Sequence, residues 1–190
     1  VTPRTGLVLS GGGARGAYEV GVIAGIMEVL GLDVADRSVF SIFSGTSVGA
    51  VNCAWLAANA HRGDLDINGL AAVWRSMRLD KHFRVSPKNL WRPPEKPEPD
   101  SKEYGPRLLD AVPLSLLIRD AVDWENIHEN LKNTRAHALI VAALDVADGV
   151  TTIFAETAPD VEFAPSRDPR RRAILGKVGP EQVLASAAIP

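Results

Sequence analysis

Val39–Ala58 reads VFSIFSGTSVGAVNCAWLAA, and its character changes in the middle. Val39–Phe43 is β-branched and aromatic, as a short strand requires. The run VNCAWLAANA is a predicted helix ending near His61. Between them lies Gly45-Thr46-Ser47-Val48-Gly49, a G-x-S-x-G sequence leaving a strand and opening a helix, the context of a nucleophile elbow. So sharp a turn brings the residues two before and two after the serine almost into contact. Glycine at both places removes the clash. The hydroxyl then projects at a helix N-terminus, where the dipole favours developing negative charge. Ser47 is therefore the expected nucleophile, with Gly45 and Gly49 supporting the turn. The plainer reading is a glycine-rich turn with a spectator serine.

The same strand–loop–helix order occurs upstream. Leu7–Ser10 is a predicted buried strand, Gly11–Gly16 (GGGARG) a loop, and Ala17–Leu30 a helix stopped by Gly31. The helix is apolar around most of its surface and is expected to be packed on all sides. Gly21 and Gly25, four apart, are expected where another element approaches closely. Two such units define an α/β class with an at least partly parallel sheet. If the two strands are neighbours, both loops leave one sheet edge. Gly11, Gly12 and Gly13 would then present unhindered N–H groups to the oxyanion that an attacking serine creates, each worth about 3 kcal/mol of barrier. Arg15 has two open roles, lending positive charge or pinning the loop by an ion pair.

Gly11, Gly13 and Gly16 also match G-x-G-x-x-G, so a dinucleotide-binding module is the rival from another class. That reading needs an acidic residue closing the second strand. Asp33 and Asp36 stand at about the right distance but precede that strand. No Gly-Lys-Ser/Thr closes the loop, so it is not a P-loop.

Further along, Leu65–Met77, Leu108–Arg119 and Trp124–Thr134 are predicted helices. Residues 87–106 hold six of the thirteen prolines and read as an extended loop or insertion. Ala138–Val146 is the strongest predicted strand, a near-continuous apolar run typical of burial on both faces. Asp148-Gly149 turns it into a partner strand, Thr151–Ala155. Ser166–Arg172 reads as an exposed basic turn, and its alternative role is contact with an anionic lipid surface, as is that of the Trp91 region. Glu181–Ala188 is the last predicted helix.

The 190 residues suffice for a single domain, 1–190. A net charge of −2 and a pI near 6.1 give no global case for nucleic acid. Cys53 is the one cysteine and sits in an apolar helical run, so it is expected to be a packing residue. No apolar stretch approaches the roughly 20 residues of a membrane-spanning helix, and the N-terminus carries no signal-peptide pattern. Cytoplasm or the periphery of a membrane is the expected location. Val1 is not methionine, so a removed targeting segment stays open.

GLVLSGGGARGAYEVGVIAGIMEVLG, FSGTSVGAVNCAWLA and VLASAAIP together resemble the patatin-like phospholipase family, in its bacterial branch. The resemblance is strong over residues 6–60, moderate over 138–190 and loose between. It implies a three-layer α/β/α sandwich with a mostly parallel central sheet, and a lipid acyl-ester hydrolase needing no cofactor and no metal, with a lipid or ester as its partner. It also implies a Ser–Asp dyad without histidine. That fits His61, His82, His128 and His137, each read as structural or solvated. The family's aspartate lies in a D-G-G/A motif after ASAAIP, so this chain is expected to be an incomplete domain with its base beyond Pro190. Asp148 is read as a hairpin residue, and Asp145 is the better in-chain alternative. An acyltransferase using the same site is the close rival.

Overall fold

The computed structural model describes residues 4–31, 38–77, 84–85, 109–110 and 112–188. The 87–106 segment, Trp91, His82, Asp33 and Asp36 lie outside the described residues.

Strand β1 (Thr5–Leu9) leads to helix α1 (Arg15–Val29), strand β2 (Phe40–Thr46), and helices α2 (Val48–Ala58) and α3 (Ile67–Ser76). A two-residue ribbon follows, β3 (Arg84–Val85) against β4 (Leu109–Asp110), then α4 (Val112–Ala121) and α5 (Trp124–Lys132). The chain continues through β5 (Ala138–Asp145), β6 (Val150–Thr157), β7 (Arg171–Leu175) and α6 (Pro180–Ala187). The main sheet has the order β1-β2-β5-β6-β7, and every neighbouring pair is parallel except β5 and β6. The α/β class, with a mostly parallel sheet flanked by helices, is thus what the sequence led one to expect.

The connections from β1 to β2 and from β2 to β5 step in the same direction across the sheet. Right-handed crossovers therefore put α1 and α2 on one face. There α2 packs against β1, β2 and β5, and α1 packs against α2 and α3. Leu9, Phe43, Leu139 and Val141 bury themselves in that core with Val20, Ile23 and Met27 of α1. Leu9 pairs with Gly45 and Gly45 with Val141, so β1 and β2 end nearly level while β5 runs on past them to Asp145. The last turn of α2 leaves carbonyls without helical partners. Nδ2 of the buried Asn130 donates to the carbonyls of Ala57 and Ala58 at 2.9 and 2.8 Å.

Two expectations need correction. Helix α1 is not packed on all sides: Tyr18 is 76% and Val29 84% exposed. Nor do Gly21 and Gly25 mark a close approach among the described residues, since a Cβ at either would meet nothing within 4 Å. The glycine that does so is Gly16, where a Cβ would fall 2.4 Å from Val48 Cγ2 and 2.5 Å from Trp74 Cζ2. The basic segment is also not wholly a turn. Arg171 and Arg172 open β7, whose RRAIL sequence pairs with β6. Its apolar residues are too few to announce a strand, and pairing with a neighbour already in place decides it.

Cys53 is fully buried in α2, and burial raises its thiol above the ordinary range. The native protein should thus show under about 5% thiol reaction with a disulfide reagent in the time that denatured protein reacts fully. Ready reaction would mean that α2 opens.

Candidate active site

Ser47 is the single residue between β2 and α2, with φ 55° and ψ −126°. That conformation is unfavourable for any residue bearing a Cβ. The glycines beside it show why the chain accepts it. A Cβ on Gly45 would lie 2.4 Å from the carbonyl oxygen of Gly49 and 2.5 Å from the amide nitrogen of Ala50. A Cβ on Gly49 would lie 2.5 Å from the carbonyl oxygen of Leu9. The expected contact across the turn is present, and a second one binds the turn to the end of β1.

Because β1 and β2 end in register, Ser10–Gly11 and Thr46–Ser47 leave the sheet side by side. Gly11 comes to rest against the serine: its missing Cβ would stand 3.1 Å from Ser47 Cβ and 3.8 Å from Ser47 Oγ. Gly13 has φ 57°, which suits glycine, and Gly12 lies under the Arg15 side chain. The loop's carbonyls turn toward α1, with Gly12 O accepting from the Arg15 amide and Gly13 O from the Gly16 amide. Among the described residues, nothing accepts a hydrogen bond from the amides of Gly11, Gly12 or Gly13. Arg15 is exposed, and among the described residues no carboxylate lies within salt-bridge reach of it. Of its two open roles, the ion pair therefore has no partner there.

The described histidines stand away from this edge. His61 follows the far end of α2, and an 11-residue helix is about 16 Å long. His137 precedes β5, at the opposite edge from Ser47. Its backbone N–H donates to Ser41. The Nδ1 of His128 is 2.8 Å from Glu156, whose other oxygen accepts the Val178 amide at 2.7 Å. Glu156 lies toward the C-terminal end of the antiparallel strand β6, so this pair too is at the opposite edge.

Asp148 and Gly149 occupy the hairpin between β5 and β6, with Gly149 at φ 66° and its N–H bonded to Asp145 O. Asp145 accepts a hydrogen bond from Arg172 at 3.0 Å, which holds its carboxyl below the usual carboxylate range and makes it a weaker base. Arg170 pairs with Asp168 at 3.1 Å. Among the described residues no group of three or more His, Cys, Asp or Glu is placed to hold a metal ion, and no helix is long and apolar enough to cross a membrane.

Sequence reasoning missed Ser186. The Ser47 amide donates to Ser186 Oγ at 2.7 Å, and that hydroxyl donates to Ala142 O on β5 at 2.6 Å. One side chain thus fastens the elbow to the sheet, and no local pattern in the sequence marks it. Ser186→Ala strands a donor and an acceptor, each costing about 1–3 kcal/mol if left unpaired. Thermal melting of that variant should show a loss of about 2 kcal/mol, and Ser186→Thr should recover part of it.

A sequence model of the patatin-like phospholipases matches residues 7–190. The chain belongs to the patatin-like phospholipase family. Membership in the patatin-like family supports lipid acyl hydrolase activity in the broad sense. The match spans the middle of the chain as well, where the motifs are silent. Neither the curated proteins nor the solved structures contain a match to it.

Proposed function

We propose that Ser47 is the nucleophile of a serine acyl-ester hydrolase of the phospholipase A, lysophospholipase or lipid esterase type. The amides of Gly11, Gly12 and Gly13 serve as its oxyanion hole. The observation that carries this is the seat of Gly11 beside Ser47, where an added Cβ would stand 3.1 Å from Ser47 Cβ and 3.8 Å from its Oγ. Two further facts support it. The Ser47 amide is committed to Ser186, so the donors must come from elsewhere. The amides of Gly11, Gly12 and Gly13 have no acceptor among the described residues.

In this reading Ser47 Oγ attacks the acyl carbonyl and its proton passes to a carboxylate base. The carbonyl oxygen takes the negative charge and points at the glycine amides. Collapse expels the alcohol, which receives the proton from the base and leaves an acyl-serine. Water then attacks the acyl-serine, losing its proton to the same base; the bond to Ser47 Oγ breaks, the base returns the proton to that oxygen, and the fatty acid departs. We assign the base to an aspartate outside residues 1–190, as the resemblance implies. Asp145 and Asp148 are held in the hairpin instead.

A fluorophosphonate probe tests the reading on the full-length protein. The probe's phosphonyl group should be found on Ser47 by peptide mass analysis, and a lipid panel should release fatty acid. An added alcohol that diverts the acyl group to a new ester would show the acyltransferase chemistry instead. Absence of labelling at Ser47 together with absence of hydrolysis would end the proposal.

A further inference from the structure

The glycine loop is held from below by a polar bracket that spans both its ends. At the entry, the Ser10 amide donates to Glu19 Oε1 at 3.1 Å. At the exit, the Gly16 carbonyl accepts from Asn52 Nδ2 at 3.1 Å. The same Nδ2 donates its other hydrogen to Glu19 Oε2 at 3.1 Å, which closes the bracket. Asn52 Oδ1 accepts from Trp74 Nε1 at 2.9 Å, and the Trp74 ring packs on Gly16 itself. Asn52 is fully buried and sits on α2, the helix that begins at Ser47.

We infer that Glu19 and Asn52 are positioning residues, which fix the Gly11–Gly13 amides relative to Ser47. The inference rests on the function proposed above and deepens it. Nucleophile and donors lie on separate segments, and catalysis by preorganised amides requires their spacing to be fixed before the charge appears. Asn52 joins the helix behind the serine to the far end of the loop, and Glu19 joins the near end to Asn52. Every polar atom of the pair meets a partner, so the bracket admits one arrangement. The bracket also has a definite polarity. Both carboxylate oxygens of Glu19 receive donors, and the Asn52 amide faces them with its NH2 group.

That polarity makes the sign of one substitution diagnostic. A carboxylate beneath an oxyanion site opposes the developing charge. If Glu19 acted only through its charge, Glu19→Gln would raise the rate. As a positioning residue it does the opposite, because the glutamine must turn its own NH2 toward either the Asn52 NH2 or the Ser10 amide. Asn52→Asp sets two carboxylates face to face and is the more damaging single change. The double variant Glu19→Gln/Asn52→Asp restores a donor–acceptor pair between the two side chains and lets Trp74 keep its acceptor, losing only the bond to Gly16.

The experiment measures kcat and KM per fluorophosphonate-titrated site in the full-length protein, with melting temperature alongside. Glu19→Gln should lower kcat about 10-fold and Asn52→Asp about 100-fold, with KM within about 2-fold, as expected when only transition-state contacts are lost. The double variant should exceed Asn52→Asp by about 10-fold in kcat. A kcat per site unchanged or raised in Glu19→Gln, or a double variant as slow as the product of the two singles, overturns the inference. Amide hydrogen exchange separates this from failure of the underlying function. Even in a protein inert toward esters, Ser10 N–H should exchange about 10-fold faster in Glu19→Ala than in wild type. Equal exchange rates overturn the bracket on their own.

Discussion

Ser47→Ala should reduce kcat for ester hydrolysis by at least about 10,000-fold, to whatever the glycine amides and substrate binding achieve alone. The variant should fold normally, because alanine has the same Cβ and makes the same turn. Ser47→Gly then becomes informative. The wild-type residue is held at φ 55° and ψ −126°, a conformation that costs a residue with a Cβ about 1–3 kcal/mol and glycine far less. Ser47→Gly should therefore be as inactive as Ser47→Ala yet more stable by about 1–2 kcal/mol, after allowing for glycine's greater freedom in the unfolded chain. Differential scanning calorimetry of the three proteins reads this directly. Equal stability of the two variants would mean that the turn relaxes and stores no strain. Retained hydrolysis in either would remove Ser47 from the chemistry.

Gly49→Ala should be, with Gly45→Ala, among the most damaging single methyl additions in the site. Its Cβ would lie 2.5 Å from the Leu9 carbonyl oxygen and 2.7 Å from that of Ser10, and both obstacles are backbone. No rotamer change relieves this. Either α2 withdraws from β1, opening the core at Leu9 and Phe43, or β1 parts from β2. Overpacking of a core costs about 1–3 kcal/mol where side chains can yield. Here they cannot, so the loss should reach about 4 kcal/mol, a large share of the roughly 5–15 kcal/mol that holds an ordinary domain. Gly21→Ala is the matched control. With nothing within 4 Å of the added carbon and a better helix former in place, it should be neutral or stabilising by up to about 1 kcal/mol. Urea denaturation of the two variants should therefore move in opposite directions. A Gly49→Ala protein as stable as wild type would contradict the packing of α2 on β1.

Much of the candidate site was legible because its chemistry dictates rare residues at fixed offsets. A tight turn that must carry a serine leaves few options but glycine at Gly45 and Gly49. The loop that abuts this turn was legible as the bare backbone of Gly11–Gly13. The strands beneath were legible from apolar continuity, and Ala138–Asp145 is the clearest case. Other features are relational and leave no local trace. Ser186 resembles any helix serine until α6 brings it under the elbow. Glu19 and Asn52 are ordinary members of two apolar helices until α1 and α2 cross. Gly21 and Gly25 misled for the same reason: glycine spacing permits close approach, but only the partner's position decides whether anything comes near. Strand β7 was hidden by its arginines, since pairing to β6 outweighed its weak apolar pattern.

The hydrogen bond from Ser47 to Ser186 joins positions 139 residues apart, and this sets an order of events during synthesis. A chain emerging from the ribosome exposes its serine early, and its glycine loop earlier still. The anchor that steadies the turn arrives only with α6. Until then the serine stands on a bend that lacks one of its hydrogen-bonded supports.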